Sequence, residues 1–476
     1  MTTRHSHSSR AWTAAALGAL LFLPVQASAQ TQSTAEQPDD VLDRPVHGKA
    51  ALAALDNERT MLAERNDMNG SELEQLLKTD RTMWLDQAGR LFVKDPTPAV
   101  DAASGDPAPG PFPNDQTFQL HSRPGANRVI YLDFNGGQVS GTSWNDNFGV
   151  STIAQPAFDL DGNQGSWSQT EIDTIQSVYQ RVAEDYRPFD VDVTTEEPGS
   201  AAVNRDSVSD NQYGTRVMIS PSAEMWADTC ASSCGGIAYV GIFSNVGNAY
   251  HQPALVFPQA LSWNDKYIAE ATSHEAGHNL GLHHDGTSTL GYYQGHSNWA
   301  PIMGVGYDRP LVQWSQGEYP GANNAQDDLA VIQGSGLPLR PDDNGSTIAS
   351  ARFLGTAKRV TGVIENRDDR DVFAITRRCA GRATIAANPA TRSPNLDIRL
   401  KLLNGSGTVL AKSDPASGMS SFDVGTGLAA SITDSLRART YYVEVDGVGA
   451  RDLATGYTGY ASLGQYTLRV PGDGCA

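Results

Sequence analysis

The sequence predicts an α/β (α+β) domain built on a twisted mixed sheet, followed by an all-β domain of the sandwich or jelly-roll type. Two observations support this prediction. Between residues 117 and 336, hydrophobic strand-like runs alternate with segments of helical period, which is the order typical of an α/β layer. From Pro341 onward, short alternating runs follow one another between turn residues, as they do in β-sandwiches.

The first 29 residues have the pattern of a secretory signal peptide. Arg4 and Arg10 precede an apolar run over residues 11–25, and the small residues at 27–29 supply a cleavage site. The apolar run is about 15 residues long, whereas a membrane span needs roughly 20. We therefore expect a secreted, extracellular protein that crosses the periplasm in transit and has no membrane anchor.

A helical module and a linker should follow the signal peptide. Residues 30–94 carry apolar side chains at helical spacing, and residues 95–116 are rich in proline and glycine. This order predicts a propeptide that is cut in the linker, with an accessory N-terminal domain as the alternative. No cysteine precedes Cys230, so this module has no thiolate with which to inhibit the domain that follows it. We expect the module to cover the cleft of that domain by its bulk, with a contact from a carboxylate or an imidazole such as His47 as the second option.

The central domain, residues 117–336, can be divided into strands and helices in order. Ser168 and Glu171 form a capping box at the start of an amphipathic helix. The predicted strands cover residues 128–134, 189–194, 216–219, 235–241 and 254–257, and the predicted helices cover residues 168–186, 263–281 and 325–332. The strands of the C-terminal domain, residues 341–476, include 371–375, 396–400, 441–445 and 466–470.

The cysteine content indicates the compartment of the protein, and the charge limits the classes of molecule that it can bind. Four cysteines fit an oxidising compartment, and proximity favours the pairs Cys230–Cys234 and Cys379–Cys475 among three connectivities. Most of the net charge of −19 lies in residues 115–336, which argues against nucleic acid or an anionic membrane as partner. We expect a monomer. Residues 159–163 have the composition of a calcium loop but lack its distal glutamate, so calcium is an option that no motif supports.

The strongest chemical signal lies between residues 274 and 286. His274 and His278 are four residues apart, so on a helix both imidazoles face one metal ion. Glu275 stands beside them as a candidate general base, outside the coordination set. Gly281 allows a left-handed exit from the helix, after which His284 can supply a third nitrogen. Three histidines with an open fourth position are typical of a catalytic zinc site.

The segment from His274 to His284, followed by Met303, resembles the metzincin clan of zinc endopeptidases. Asp285, directly after the third histidine, resembles the adamalysin (reprolysin-like) branch. The resemblance implies three histidine ligands, with His284 preferred to its neighbour His283. It also implies Glu275 as general base and Met303 as a hydrophobic floor beneath the metal. His251 and His296 have no partner pattern, and no function is assigned to them.

Further site residues follow only from this resemblance. The strand Gly236, Ile237, Ala238, Tyr239 and Val240 resembles the edge strand that binds an extended substrate. Tyr307 resembles a tyrosine that some metzincins use in the transition state, but it follows Met303 by four residues instead of two, which favours a structural role. Residues 341–476 resemble the bacterial prepeptidase-type C-terminal domains, most clearly at residues 368–373.

These observations predict a secreted zinc endopeptidase that acts on protein or peptide substrates and is made as a zymogen. The first alternative is an extracellular polymer-binding protein with an inactive metzincin-like domain. The presence of Glu275 argues against it, because a protein without catalytic activity has no need of the base. The second alternative, a zinc hydrolase of non-peptide amides, fits the motif equally well.

Overall fold

The computed structural model describes Met1, residues 39–97 and residues 107–472. The predicted signal peptide after Met1, residues 98–106 of the predicted linker and Cys475 therefore lie outside the described residues. The described helices are α1 (Gly48–Arg65), α2 (Gly70–Thr79), α3 (Ser143–Phe148), α4 (Gln169–Asp185), α5 (Ser200–Val203), α6 (Ala223–Cys230), α7 (Asp265–Asn279) and α8 (Asp328–Gly334). None of the helices in this part of the chain is long and apolar enough to cross a bilayer.

The strands before residue 340 are β1 (Val46–His47), β2 (Met83–Leu85), β3 (Leu91–Pro96), β4 (Arg128–Asp133), β5 (Gly137–Val139), β6 (Ile153–Gln155), β7 (Asp192–Thr194), β8 (Tyr213–Ile219), β9 (Cys234–Tyr239), β10 (Ala254–Val256), β11 (Trp299–Pro301) and β12 (Leu311–Gln313). Those after it are β13 (Arg352–Phe353), β14 (Arg359–Ile364), β15 (Arg370–Arg377), β16 (Gly381–Pro389), β17 (Ile398–Leu403), β18 (Val409–Ser413), β19 (Gly418–Ser421), β20 (Val424–Thr426), β21 (Ala430–Leu436), β22 (Arg439–Gly447) and β23 (Gly464–Arg469).

An eight-stranded mixed sheet in the order β1-β2-β3-β9-β10-β8-β4-β7 forms the centre of the N-terminal two thirds. Strands β10, β8, β4 and β7 are parallel to one another, and β9 is antiparallel to β10. The predicted α/β organisation is therefore confirmed. The five predicted strands overlap the observed ones, although β7 begins three residues later than expected.

Helices α4 and α7 pack together on this sheet, and both begin at side-chain caps. Ser168 and Glu171 form the predicted capping box of α4. Asn264 caps α7 by accepting hydrogen bonds from the backbone of residues 266 and 267. Tyr186, at the end of α4, donates a hydrogen bond of 2.9 Å to the carbonyl of Ser273 in α7. Because every residue of α7 from 266 to 279 is buried, the helix holds its polar side chains inside the protein.

The N-terminal region departs from the prediction. Residues 30–94 were expected to be helical, but β2 and β3 follow α1 and α2 and extend the central sheet. The predicted linker was expected to start at residue 95, yet β3 continues to Pro96 because its backbone pairs with β9. Helices α1 and α2 cover these strands with an apolar core that consists of Ala51, Leu55, Leu62, Ala63, Leu73, Leu77, Met83, Leu85, Leu91, Val93 and Val240.

The C-terminal region is β-rich, as predicted. One sheet has five strands in the order β13-β15-β22-β17-β18, and another has four in the order β14-β23-β16-β21. Phe373 of the first sheet contacts Tyr466 of the second, with ring centroids 6.4 Å apart. The predicted Cys230–Cys234 disulfide is present. Cys379 is also in a disulfide, but its predicted partner Cys475 lies outside the described residues.

The two predicted domains share one buried core and pack tightly. Asp185 at the end of α4 accepts a hydrogen bond of 2.8 Å from Asn395 of the β-rich region. Arg181 of α4 lies between Asp265 at 3.2 Å and Asp423 of the β-rich region at 2.7 Å, and its side chain is only 2% exposed. Residues 37–476 thus form a single compact unit, not a peptidase domain with a loosely attached appendage.

Replacing Arg181 by Ala should therefore destabilise the whole chain. It would leave the largely buried Asp265 with only the longer contact to Arg392 at 3.5 Å, and removing one partner of a buried pair typically costs about 3 kcal/mol. Calorimetry of the full chain should show one unfolding transition that moves to lower temperature as a whole. The control Lys412→Ala removes a pair with Asp414 that is largely exposed, and should cost less than about 1 kcal/mol. Two separate transitions, with only one affected by Arg181→Ala, would contradict the shared core.

Candidate metal centre and active site

Three imidazoles meet at the C-terminal half of α7. The Nε2 atoms of His278 and His284 are 3.0 Å apart, and the ring of His274 stands 4.7 Å from that of His278 between centroids. Nδ1 of His274 donates to the carbonyl of Ile302 at 2.9 Å, and Nδ1 of His278 donates to that of Leu282 at 2.8 Å. These bonds place the lone pairs of both rings on Nε2, the atoms that point into the cluster.

The third imidazole is reached by the turn that follows α7. Gly281 has φ of 95°, a left-handed conformation that glycine adopts without strain, so the chain turns back as the sequence predicts. Nδ1 of His284 lies 2.6 Å from Oδ2 of Asp80, in the N-terminal region. His283 is not part of the cluster: its backbone N–H donates to Gln326, and the residue is half-buried.

A fourth group completes the cluster and was not predicted. Asp95 in β3 places Oδ1 at 2.8 Å from Nε2 of His284, and Oδ2 at 3.4 Å and 3.5 Å from Nε2 of His278 and His274. All four ligand atoms lie within 4.8 Å of one another. Nε2 of His274 and Oδ2 of Asp95 are buried without a hydrogen-bond partner among the described residues. Unpaired lone pairs that converge in this way fit a divalent cation such as zinc.

Glu275 lies beside this cluster with its carboxylate buried. Its Oε2 has no hydrogen-bond donor among the described residues, and burial, together with the neighbouring Asp95, raises its pKa well above the usual value. A Cβ atom at Gly236 would come within 1.8 Å of Oε1, so glycine at this position of β9 makes room for the carboxylate. Glu275 therefore lies directly against the strand that was predicted to bind substrate.

Burial and the neighbouring charges shift the pKa values of several groups in the cluster in opposite directions. Burial lowers the pKa of the His274 imidazole to about 3. For His284 burial also disfavours the charge, but the carboxylates of Asp80 and Asp95 outweigh it and raise its pKa to about 10. Burial alone would raise the pKa of both carboxyls, but the neighbouring histidines outweigh it. The pKa of Asp80 therefore falls to about 2, and that of Asp95 falls well below its usual value. A metal held by His284 would have to displace this proton, because a metal ligand is deprotonated.

The other predicted site residues surround the cluster. Met303 lies directly beneath α7, since a Cβ atom at Gly277 would be 2.7 Å from its Sδ. The backbone N–H of Asp285 donates to the carbonyl of Met303 at 2.8 Å, which ties the third-histidine loop to this methionine. The Asp285 carboxylate accepts a hydrogen bond from Tyr319, and burial, with Glu318 nearby, raises its pKa to about 8.

Two tyrosines border the site. Tyr307 is stacked edge-on against Tyr267, with centroids 4.9 Å apart, and lines a cleft of about 290 Å³ beside His274 and Glu275. Tyr292 was missed by the sequence analysis, because it lies in a loop without a motif. Its ring centroid is 4.2 Å from that of His284, and its hydroxyl donates to Oδ1 of Asp95 at 2.5 Å.

The predicted substrate strand is not an edge in this chain. β9 ends at Tyr239, so Val240 falls just outside it, and its two sides are paired with β10 and β3. The prediction is corrected because the N-terminal region supplies β3, a strand that the sequence analysis did not find. His47, the imidazole suggested as a block, is stacked on Trp84 at 3.9 Å and is not part of the cluster.

Three further clusters of carboxylates among the described residues are close enough together to hold a cation, and one of them consists of Asp342, Asp343 and Asp371. Asp342, Glu365 and Asp369 lie together near the start of the β-rich region, and both oxygens of Glu365 and of Asp369 are buried without a described hydrogen-bond partner. Asp159 and Asp161 lie close to Glu171, but both oxygens of Glu171 already accept backbone hydrogen bonds. Calcium thus stays an option that no sequence motif supports.

The comparisons with known proteins agree with this geometry. Residues 174–285 match the sequence model of the metallo-peptidase family M12B, reprolysin-like, a segment that contains all three histidines and Glu275. The match covers less than half of the chain and supports a metallopeptidase, which is a hydrolase of protein or peptide substrates that typically uses zinc. No curated protein is similar enough to this chain to count as a relative.

Solved structures resemble the chain only in part. The pre-peptidase C-terminal domain of collagenase from Bacillus anthracis shares 16% identity over 28% of this chain and 98% of that domain, with a TM-score of 0.19. PliG of Aeromonas hydrophila, a periplasmic inhibitor of g-type lysozyme, shares 9% identity over 25% of this chain and 96% of its own, with a TM-score of 0.17. Because both TM-scores are low, neither likeness shows the fold or the function of this chain.

The geometry predicts different outcomes for the two adjacent histidines. His284→Ala should lower zinc affinity by at least about 100-fold. Loss of a group that only hydrogen-bonds a metal ligand costs up to about 100-fold, and loss of a ligand itself should cost at least as much. His283→Ala is the matched control and should retain zinc. Competition with a chromogenic chelator would measure both affinities. Full zinc affinity in the His284 variant, with loss in the His283 variant, would show that the ligand set is wrong.

Proposed function

We propose that this chain is a secreted zinc endopeptidase of the metzincin type, made as a latent precursor. The observation that carries this proposal is the position of Glu275, with its unpaired carboxylate oxygen, between a cluster of three imidazoles and strand β9. The match to a reprolysin-like family over the same residues supports the reaction class.

His274, His278 and His284 would hold the zinc ion through Nε2. When bound, zinc supplies Lewis acidity, which polarises the scissile carbonyl, lowers the pKa of water and balances negative charge in the transition state. Hydrogen bonds at Nδ1, the ring nitrogen on the side away from the metal position, orient the histidines for metal binding. Two of the three Nδ1 atoms donate to backbone carbonyls, so these imidazoles cannot rotate freely.

Glu275 acts as the general base. Its carboxylate accepts the proton of the attacking water and later delivers that proton to the nitrogen of the leaving amine. Gly236 keeps the carboxylate in place by leaving the space that a side chain would fill.

Strand β9 would bind the substrate in an extended conformation. Main-chain hydrogen bonds to a β-strand recognise any peptide, while side-chain pockets decide sequence preference. The cleft of about 290 Å³ adjoins Glu275 and is lined by Gly304, Val305 and Tyr307 on one side. It would accept a substrate side chain next to the bond that is cut. A polymer-binding protein would need neither a general base nor a substrate-binding strand and cleft beside that base.

Glu275→Gln should reduce kcat/KM on casein by roughly 10²- to 10⁴-fold, the usual contribution of a general base. Zinc content should not change, because Glu275 lies outside the histidine cluster. The assay uses the full chain after its N-terminal region has been cut off by an added protease. Glu224→Gln, an exposed change on α6, is the control and should leave activity intact. Activity within a few-fold of the unsubstituted enzyme would contradict the role of Glu275.

A further inference from the structure

We propose that Asp95 is the fourth ligand of the metal in the unprocessed chain, and that β3 carries it there to keep the enzyme inactive. This inference rests on the proposed function, since it concerns the regulation of the same site. It replaces the expected steric cover with a specific contact between a carboxylate and the metal position.

The first argument is that β3 occupies the place of a substrate. It pairs antiparallel with β9, with Phe92 opposite Tyr239, Lys94 opposite Ile237 and Asp95 opposite Gly236. The other side of β9 is already paired with β10. An extended peptide could therefore reach β9 only after β3 has left, so the chain competes with its own substrate for the same backbone hydrogen bonds.

The second argument is the position of the Asp95 carboxylate. Its two oxygens lie 2.8 to 3.5 Å from the Nε2 atoms of all three histidines. A carboxylate oxygen is an accepted zinc ligand, and four ligands close a tetrahedral site. A closed site has no open position for water, so Glu275 would have no nucleophile to activate. The Asp95 carboxylate is also a neighbour of the Glu275 carboxylate.

The third argument is that Asp95 is held in this place from several sides. Tyr292 donates a hydrogen bond of 2.5 Å to its Oδ1, and the same hydroxyl contacts Thr82 at 3.1 Å. Asp80, two residues before Thr82, bonds to Nδ1 of His284 at 2.6 Å. Three residues of the N-terminal region thus bind the site or its neighbours. Side chains buried in this way have few alternative rotamers, so the carboxylate is pre-organised for the metal.

The fourth argument is that the contact is part of a folded module. The turn that carries Asp80 and Thr82 joins α2 to β2, and the apolar core of α1 and α2 supports both β2 and β3. Removing the module would take away Asp95, Asp80 and Thr82 together and free one side of β9. Activation by a single cut between this module and the rest of the chain follows from that arrangement.

The test uses the full unprocessed chain and two substitutions, Asp95→Ala and the isosteric Asp95→Asn. Zinc affinity, measured by chelator competition, should fall by at least about 100-fold in both variants, more than the roughly 10- to 100-fold that follows loss of a group that only hydrogen-bonds a ligand. With cobalt in place of zinc, the visible absorption should change because one oxygen ligand is replaced. Asp56→Ala is the control, since Asp56 lies in the same module, its side chain is 76% exposed, and neither readout should move.

Peptidase activity of the unprocessed chain provides the second readout. Without the Asp95 carboxylate on the metal, β3 is held less firmly and leaves β9 more often. Either Asp95 variant should therefore be at least about tenfold more active than the unsubstituted precursor, because a larger fraction is open to water and substrate. Unchanged zinc affinity and cobalt spectrum in both variants would overturn the assignment of Asp95 as a ligand. Altered metal binding without a gain in activity would overturn its role in latency.

The two proposals fail in distinguishable ways. If the processed chain has no peptidase activity with zinc, the proposed function is wrong, but the metal affinities still decide whether Asp95 is a ligand. If the processed and unprocessed chains are equally active, Asp95 does not block the site, and the N-terminal region is an accessory domain of a working enzyme.

Discussion

The site depends on hydrogen bonds between imidazoles and backbone carbonyls. The carbonyls of Ile302 and Leu282 accept hydrogen bonds from Nδ1 of His274 and His278, and both carbonyls belong to segments that pack against α7. Because these bonds fix which nitrogen carries the lone pair, the geometry of the cluster is set by the fold before any metal binds. The buried helix, the left-handed turn at Gly281 and the loop of Met303 all serve this orientation.

A single sheet connects the candidate base with the N-terminal module. Strand β9 contacts Glu275 on its face through Gly236 and pairs with β3 along its edge. Under the proposed function, the strand that would bind a substrate is therefore the strand on which the N-terminal module is built. The β-rich C-terminal region contacts the same assembly through α4, where Arg181 and Asp185 bond to it. The proposed substrate binding, the proposed latency and the stability of the chain consequently share a few elements.

The sequence was sufficient where the signal is local. The spacing of His274, His278 and His284, the capping box of α4 and the nearby cysteine pair all depend on residues close in the chain. It was insufficient where the contact is long-range. Asp95 meets histidines about 180 residues away, and the prolines that follow it suggested a linker instead of a strand. The N–H and C=O groups of β9 override that local preference, which no pattern in residues 91–96 reveals.

The most direct test of this account is a crystal structure of the zinc-loaded, unprocessed chain, with anomalous diffraction at the zinc edge. The account predicts one strong peak about 2.0–2.2 Å from Nε2 of His274, His278 and His284 and from a carboxylate oxygen of Asp95, the usual zinc–ligand distances. β3 should remain paired with β9. A zinc ion bound elsewhere, or bound by the histidines with Asp95 turned away and a water in its place, would contradict it.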